Sequence, residues 1–215
     1  MDWVVSFSGI RRLSRQVSSL REAVLVLGLG NLRGIVLSAG VVGAFSDSAA
    51  VARSLAAAAA ARSLARTLGA DQGLAFTGGL LHNLGALLLA QFDPDRWERL
   101  DSESAEGGGD RLVRERAVYG FDHCELGADV AREWHFPEPI QLAIRLYPKP
   151  HAVDHWLPDV VHAAWAIGSM EGNEGISAID AAALVRLGLD GPGGARCLAE
   201  AGDGARDGPG AMRMT

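Results

Sequence analysis

The run AFTGGLLHNLGALLLAQF, residues 75–92, is apolar almost all the way round a helical wheel, and in a chain that folds in water such a helix must be covered on every side. One polar pair, His82 and Asn83, interrupts it. At helical spacing the neighbours of His82 are Gly78, Gly79, Gly85 and Ala86, so its side chain stands in a trough of small residues. Glycine inside a helix costs up to about 1 kcal/mol relative to alanine, so three of them around one histidine mark a close approach. Two explanations fit: a helix crossing with His82 as a hydrogen-bonded core histidine, or a metal or phosphate site.

The rest of the chain supplies the covering. Of 215 residues, 48% are hydrophobic, enough to bury one full core. The formal charge of −6, from 26 acidic and 20 basic residues, argues against nucleic acid as a partner. Arg11, Arg12, Arg15, Arg21 and Arg33 crowd the front of the chain and read as a solvated basic surface. Cys124 and Cys197, the two cysteines, are far apart, which gives no disulfide framework and no cysteine metal motif and points to a reducing compartment. Residues 23–45 are the longest apolar region, but Asn31, Arg33 and several glycines make them a poor membrane span. The Arg11-Arg12 pair lacks the unbroken apolar stretch of an export signal after it. A cytoplasmic protein with no membrane partner is expected.

Helix signals succeed one another, and no β pattern of useful length intervenes. Ser19 and Glu22 make a capping box ahead of a helix over 23–29, and another is expected over 31–45. The GLGNLRG between them has no preceding strand and the wrong spacing for a dinucleotide loop, and reads as a helix-to-helix turn. Asp47 or Ser48 caps AAVARSLAAAAAARSLARTLG, which ends at Gly69. The six alanines at 56–61 make that helix thin, and thin helices pack close. Asp71 caps the central helix, and SESAEGGGD, residues 102–110, reads as a flexible loop. Helices are expected over 111–119, over 122–134, from Pro137 to about Tyr147, from Asp159 through Met170, and from Ser177 or Asp180 to near Gly188. From Asp190 onward Gly, Asp and Arg dominate, and disorder is expected. The predicted architecture is an all-α bundle of seven or eight helices over residues 1–190, with a disordered tail over 191–215.

The succession QVSSLREAVLVLGL, SLAAAAAARSLARTLG, AFTGGLLHNLGALLL and ERAVYGFDHCELGADVAREWHFPEPIQLAI resembles the HDOD domain, an HD-related output domain of bacterial signalling proteins. Order, spacing and small-residue pattern agree from roughly Phe7 to Asp190. The resemblance implies an HD-like all-helical fold, akin to the HD phosphohydrolases and the HD-GYP phosphodiesterases. Full HDOD domains carry further helices ahead of SRQVSSLREA, so this chain is expected to lack the family's first helices. Apolar surface would then be left for Trp3, Val4, Val5, Phe7 and Ile10, and for a homodimer or partner, to cover.

HD enzymes converge a histidine, a His-Asp pair and a later aspartate on a divalent cation. By the resemblance those positions are Arg53, His82, Asn83 and Trp165, and only His82 is retained. Asn83 has no charge, Trp165 no lone pair, and Arg53 repels a cation. Ala86 stands where the enzymes often have lysine, and Tyr147-Pro148 where related domains often have a histidine pair. The resemblance therefore implies no catalysis, no cofactor and no metal. Arg53 is expected in or beside the metal's space, its charge met by Asn83 or Asp122; the alternative is that it extends to solvent. Arg53, His82, Asn83, Asp122 and His123 are the candidates for ligand or partner contact, with His123, in FDHCELG, read as a cap or packing residue.

Three functions remain in view. One is a non-catalytic signalling domain that binds protein partners or a second copy. Another is a metal-dependent phosphohydrolase acting on a nucleotide or cyclic dinucleotide, with replacement ligands from His123, Asp122 or Glu125. A third is a nucleotide sensor with Arg53 as its phosphate contact.

Overall fold

The computed structural model describes residues 48–207, apart from 108–109, 152, 154 and 170–172. The helices expected over 23–29 and 31–45, the apolar residues from Trp3 to Ile10 and the arginines up to Arg33 lie outside the described residues. Eleven helices and no strand occur among the described residues, in agreement with the all-α expectation. They are α1 (Ser48–Thr67), α2 (Gln72–Leu81), α3 (Leu84–Phe92), α4 (Pro94–Gly107), α5 (Arg111–Tyr119), α6 (His123–Glu133), α7 (Glu138–Leu146), α8 (Leu157–Ser169), α9 (Asn173–Ser177), α10 (Ala181–Leu187) and α11 (Pro192–Asp207).

The alanine-rich α1 runs through the middle, with α2, α8 and α11 packed around it. Ala57, Ala58, Ala60, Ala61 and Leu64 are fully or almost fully buried. Side chains that end at Cβ let backbones meet. A Cβ on Gly79 of α2 would lie 2.8 Å from the Ala57 carbonyl oxygen, and one on Gly168 of α8 would lie 2.9 Å from the Ala57 nitrogen. The helix ends at Gly69, in the left-handed region at φ +66, and Ala70 N–H closes the turn onto Ala65 O at 2.8 Å. Asp71 then starts α2, accepting from Gly73 N at 2.8 Å and Leu74 N at 2.9 Å.

Beyond α3 the chain turns back, and α6 crosses α3 and lies against α7, which in turn meets α8. The Asp122–Glu125 capping box starts α6, with Glu125 N–H donating to Asp122 at 2.8 Å and Asp122 N–H donating to Glu125 at 3.0 Å. His135, the one non-glycine residue at positive φ among those described, ends α6 in the left-handed conformation that glycine takes elsewhere. Gln72–Phe92 together have the length and hydropathy of a membrane span, but 67% of that window is buried inside the fold.

Four features differ from the sequence expectations. The central helix is two helices, α2 and α3, broken at His82-Asn83. Residues 102–107, expected in a loop, complete α4; Pro94 fits its first turn, and Leu100 is buried. Asp159 lies inside the first turn of α8 and does not cap it; Arg186 holds its carboxylate instead. The tail over 191–215 was expected to be disordered, yet 192–207 form α11, because Leu198, Ala201 and Ala205 recur at helical spacing and bury against the bundle. Residues 208–215 lie outside the described residues.

Candidate functional site

His82 ends α2, and its side chain is the reason the helix stops there. Its Nδ1 lies 2.6 Å from the carbonyl oxygen of Gly79, to which Nδ1–H donates. That carbonyl would receive the N–H of Asn83 in a continuous helix, so the imidazole competes with the ladder and opens it. The ring is buried, at 4% exposure. Burial pushes its pKa down to about 4; the Gly79 hydrogen bond opposes the shift and His123 adds to it. His82 is therefore neutral at pH 7, as the core-histidine explanation requires. The glycines around it serve crossings: Gly79 meets α1, Gly78 faces Val161 and Leu157 of α8, and a Cβ on Gly85 would sit 1.9 Å from the His123 carbonyl oxygen of α6.

The ring edge of His82 faces Tyr147, with centroids 4.8 Å apart and planes at 84°. Tyr147, at the C-terminal end of α7, is the centre of a buried polar network. Its hydroxyl lies 2.7 Å from His123 Nε2, and His123 Nδ1 lies 2.7 Å from Glu115 Oε2. Nδ1–H donates to the carboxylate, and Nε2 meets the Tyr147 hydroxyl. The same carboxylate accepts from His123 N–H at 2.8 Å and from Arg111 Nε at 2.9 Å, so a fully buried charge has its donors in place. Burial acts to raise the Glu115 pKa, but the hydrogen bonds and charge of His123 outweigh it and hold the carboxyl below its ordinary range. The Arg111 guanidinium lies 4.2 Å from the Trp97 ring centroid, which roofs the pair. Burial pushes the Cys124 thiol and the Tyr147 hydroxyl upward, so both stay protonated.

The backbone of Tyr147 extends the network in the other direction. Its carbonyl accepts from His162 Nδ1 at 2.7 Å, and His162 Nε2 accepts from Asp180 N–H at 3.0 Å. Two hydrogen bonds of opposite sense fix the Nδ1–H tautomer, and burial lowers the His162 pKa. Trp165 packs on Tyr147 at 5.4 Å and on His162 at 5.9 Å.

Of the residues singled out in the sequence, His82, His123 and Trp165 come together around Tyr147. Asn83 is half-buried at the start of α3, and its side chain makes no capping bond. Arg53 is exposed on α1, in line with the alternative that it extends to solvent. Asp122, one of its expected partners, belongs to the α6 cap and pairs with Arg116. Glu115, Tyr147 and His162 were not singled out as site residues. The Arg111-Glu115 spacing hints at an ion pair, but an i,i+4 pair on a charged helix reads as solvated surface until its burial is known.

A divalent cation does not fit these side chains. His82 offers a single nitrogen, Nε2, while Asn83 is neutral, Trp165 has no donor lone pair and Arg53 is an exposed cation. His123 already spans Glu115 and Tyr147, and Asp122 and Glu125 bind each other's backbone.

This all-helical bundle, with a histidine at the break of its central helix, defines an HD-like fold. The HDOD domain family model matches residues 5–150, and the chain belongs to that family. The solved structure of a candidate phosphohydrolase from Shewanella amazonensis is similar at a TM-score of 0.67 and 27% identity, over 90% of this chain and 77% of that one. A candidate signal transduction protein from Marinobacter aquaeolei shares the fold at a TM-score of 0.63 and 24% identity, over 93% of this chain and 49% of that one. An uncharacterized protein of Treponema pallidum is 33% identical over 107 residues, which is 48% of this chain. The chain spans only 21% of the length of that curated relative. A response regulator from Methylococcus capsulatus is similar at a TM-score of 0.50 and 27% identity, over 86% of this chain and 76% of that one, and with the family membership it fits a regulatory role.

Proposed function

We propose that this chain is a non-catalytic regulatory domain that acts in the cytoplasm by binding signalling proteins or a second copy of itself. One observation carries the reading. At the positions where HD enzymes hold their cation, His82 is the one retained ligand, and the other three residues are Arg53, Asn83 and Trp165. The replacement ligands that a phosphohydrolase would need, His123, Asp122 and Glu125, are spent on the α6 cap and the Tyr147 network. Among the described residues no three His, Cys, Asp or Glu side chains converge as a cation site requires. Two free cysteines, Cys124 and Cys197, support a reducing compartment. A nucleotide pocket built on Arg53 gains nothing from an arginine that is exposed.

The test is metal analysis of protein purified with manganese or iron present, together with hydrolysis of a generic phosphodiester. The expected result is sub-stoichiometric metal and no turnover above buffer. A stoichiometric ion, with turnover that His82→Ala abolishes, would overturn the proposal.

A further inference from the structure

The two C-terminal helices are attached to the bundle in opposite ways. The first, α10, is bolted on by polar contacts: Arg186 grips the nearly buried Asp159 carboxylate through two bonds, at 2.9 Å and 2.6 Å, and Asp180 N–H donates to His162. The second, α11, has no such anchor. Its one side-chain hydrogen bond among the described residues, Arg206 to Asp203, lies within the helix itself. It meets α1 and α8 through Leu198, Ala201 and Ala205, all buried, and Cys197, half-buried; Leu198 is the one large aliphatic side chain of that face.

The helix is also intrinsically weak. Gly193, Gly194, Gly202 and Gly204 all fall within it, and each raises its tendency to unwind roughly fivefold relative to alanine. A hinge precedes it. Gly188 sits in the left-handed region at φ +66 and closes α10, Gly191 follows, and at Gly194 the chain folds so tightly that a Cβ would lie 1.9 Å from the Leu189 carbonyl oxygen. Buried Leu189 and the Arg186–Asp159 pair hold the near side of this hinge. A helix whose buried face is one leucine and small side chains, with no polar tie to the bundle and a glycine-rich hinge, belongs to the low end of local stability.

We propose that α11 is a reversible latch: it swings on residues 188–194 off the alanine face of α1 while the rest of the bundle, α10 included, stays folded. In the closed state it covers the surface of α1 between α2 and α8; in the open state that surface is presented to solvent. The latch does not depend on whether the domain binds metal or a protein partner.

The chain carries its own pair of reporters. Cys197 rides on α11, and Cys124 is buried in the core beside Tyr147. In the full-length protein under native conditions, reaction with an aromatic disulfide reagent is expected to modify Cys197 at least about a hundredfold faster than Cys124, as local opening precedes global unfolding. Gly204→Ala adds a methyl in open space and Gly202→Ala adds one in ordinary contact with Ile167 Cγ2 at 3.6 Å, so each is expected to slow Cys197 labelling about fivefold. Leu198→Ala is expected to speed it more than tenfold, with Cys124 unchanged in all three variants. Amide exchange supplies a second reading, in which 195–206 exchange as one block ahead of α10. The proposal is overturned if both thiols react at one common rate, if Cys197 labelling ignores all three substitutions, or if α10 and α11 exchange together.

Discussion

The imidazole Nδ1 of His82 and the carbonyl oxygen of Gly79 stand 2.6 Å apart, at the break between the two halves of the central helix. With the ring buried, the neutral form belongs to the folded state, although the bond to Gly79 pulls the other way.

The pH dependence of stability follows from the burial of that ring, which outweighs the opposing hydrogen bond. The folded pKa of His82 is about 4 against an ordinary 6.5, so the unfolded chain takes up the proton first as pH falls. The contribution of neutral His82 is complete above the ordinary value and disappears between there and about pH 4, amounting to about 3 kcal/mol. His162, also lowered, acts in the same direction. Urea midpoints measured from pH 7.5 downward are expected to fall steeply below about pH 6. His82→Leu should flatten that limb; an unchanged limb would place the proton uptake elsewhere.

Gly85 is the tightest crossing in the described fold. An alanine there puts its methyl 1.9 Å from the His123 carbonyl oxygen and 2.8 Å from Gly127 N, so α3 and α6 must move apart. Both contacts are backbone, which yields less readily than a side chain. A destabilisation of about 3 kcal/mol or more is expected, read as a drop in the urea midpoint at constant slope. The same measurement on Gly204→Ala, where the methyl meets open space, is expected to show no loss.

Glu115 is the buried anion of the network, with three donors aimed at it from Arg111 and His123. Removing it in Glu115→Ala leaves those donors unmet beneath Trp97 and is expected to cost about 3–5 kcal/mol. Glu115→Gln keeps the shape and one acceptor and is expected to cost less than half as much. Near-equal losses in the two variants, compared by chemical denaturation, would show that volume, not charge, is what Glu115 supplies.

How far the sequence could anticipate this arrangement depends on the range of each interaction. Gly69, Asp71, Asp122 with Glu125, and Gly188 act on backbone groups within a few residues, and the helix ends they mark could be read from the chain. The glycine trough around His82 correctly announced close helix crossings, because a glycine inside a helix needs a packing reason. The two alternatives for Arg53 could not be separated in the sequence, because a position carried over from a metal enzyme says nothing about which way a long side chain turns. The α11 helix was missed because its glycines hide a short stripe of alanines that is meaningful only once α1 is beside it. The Glu115–His123–Tyr147 network joins three separate helices, and only tertiary contact reveals that its members are buried together.

The alanine run of α1 has a consequence for how the domain can move. A leucine or methionine core absorbs a small shift by changing rotamer; alanine has no rotamer to change. Where α2 and α8 both rest backbone to backbone on Ala57, a displacement of one reaches the other through α1 as rigid translation. The helix that carries His82 is therefore geared to α8 through a shaft with no slack.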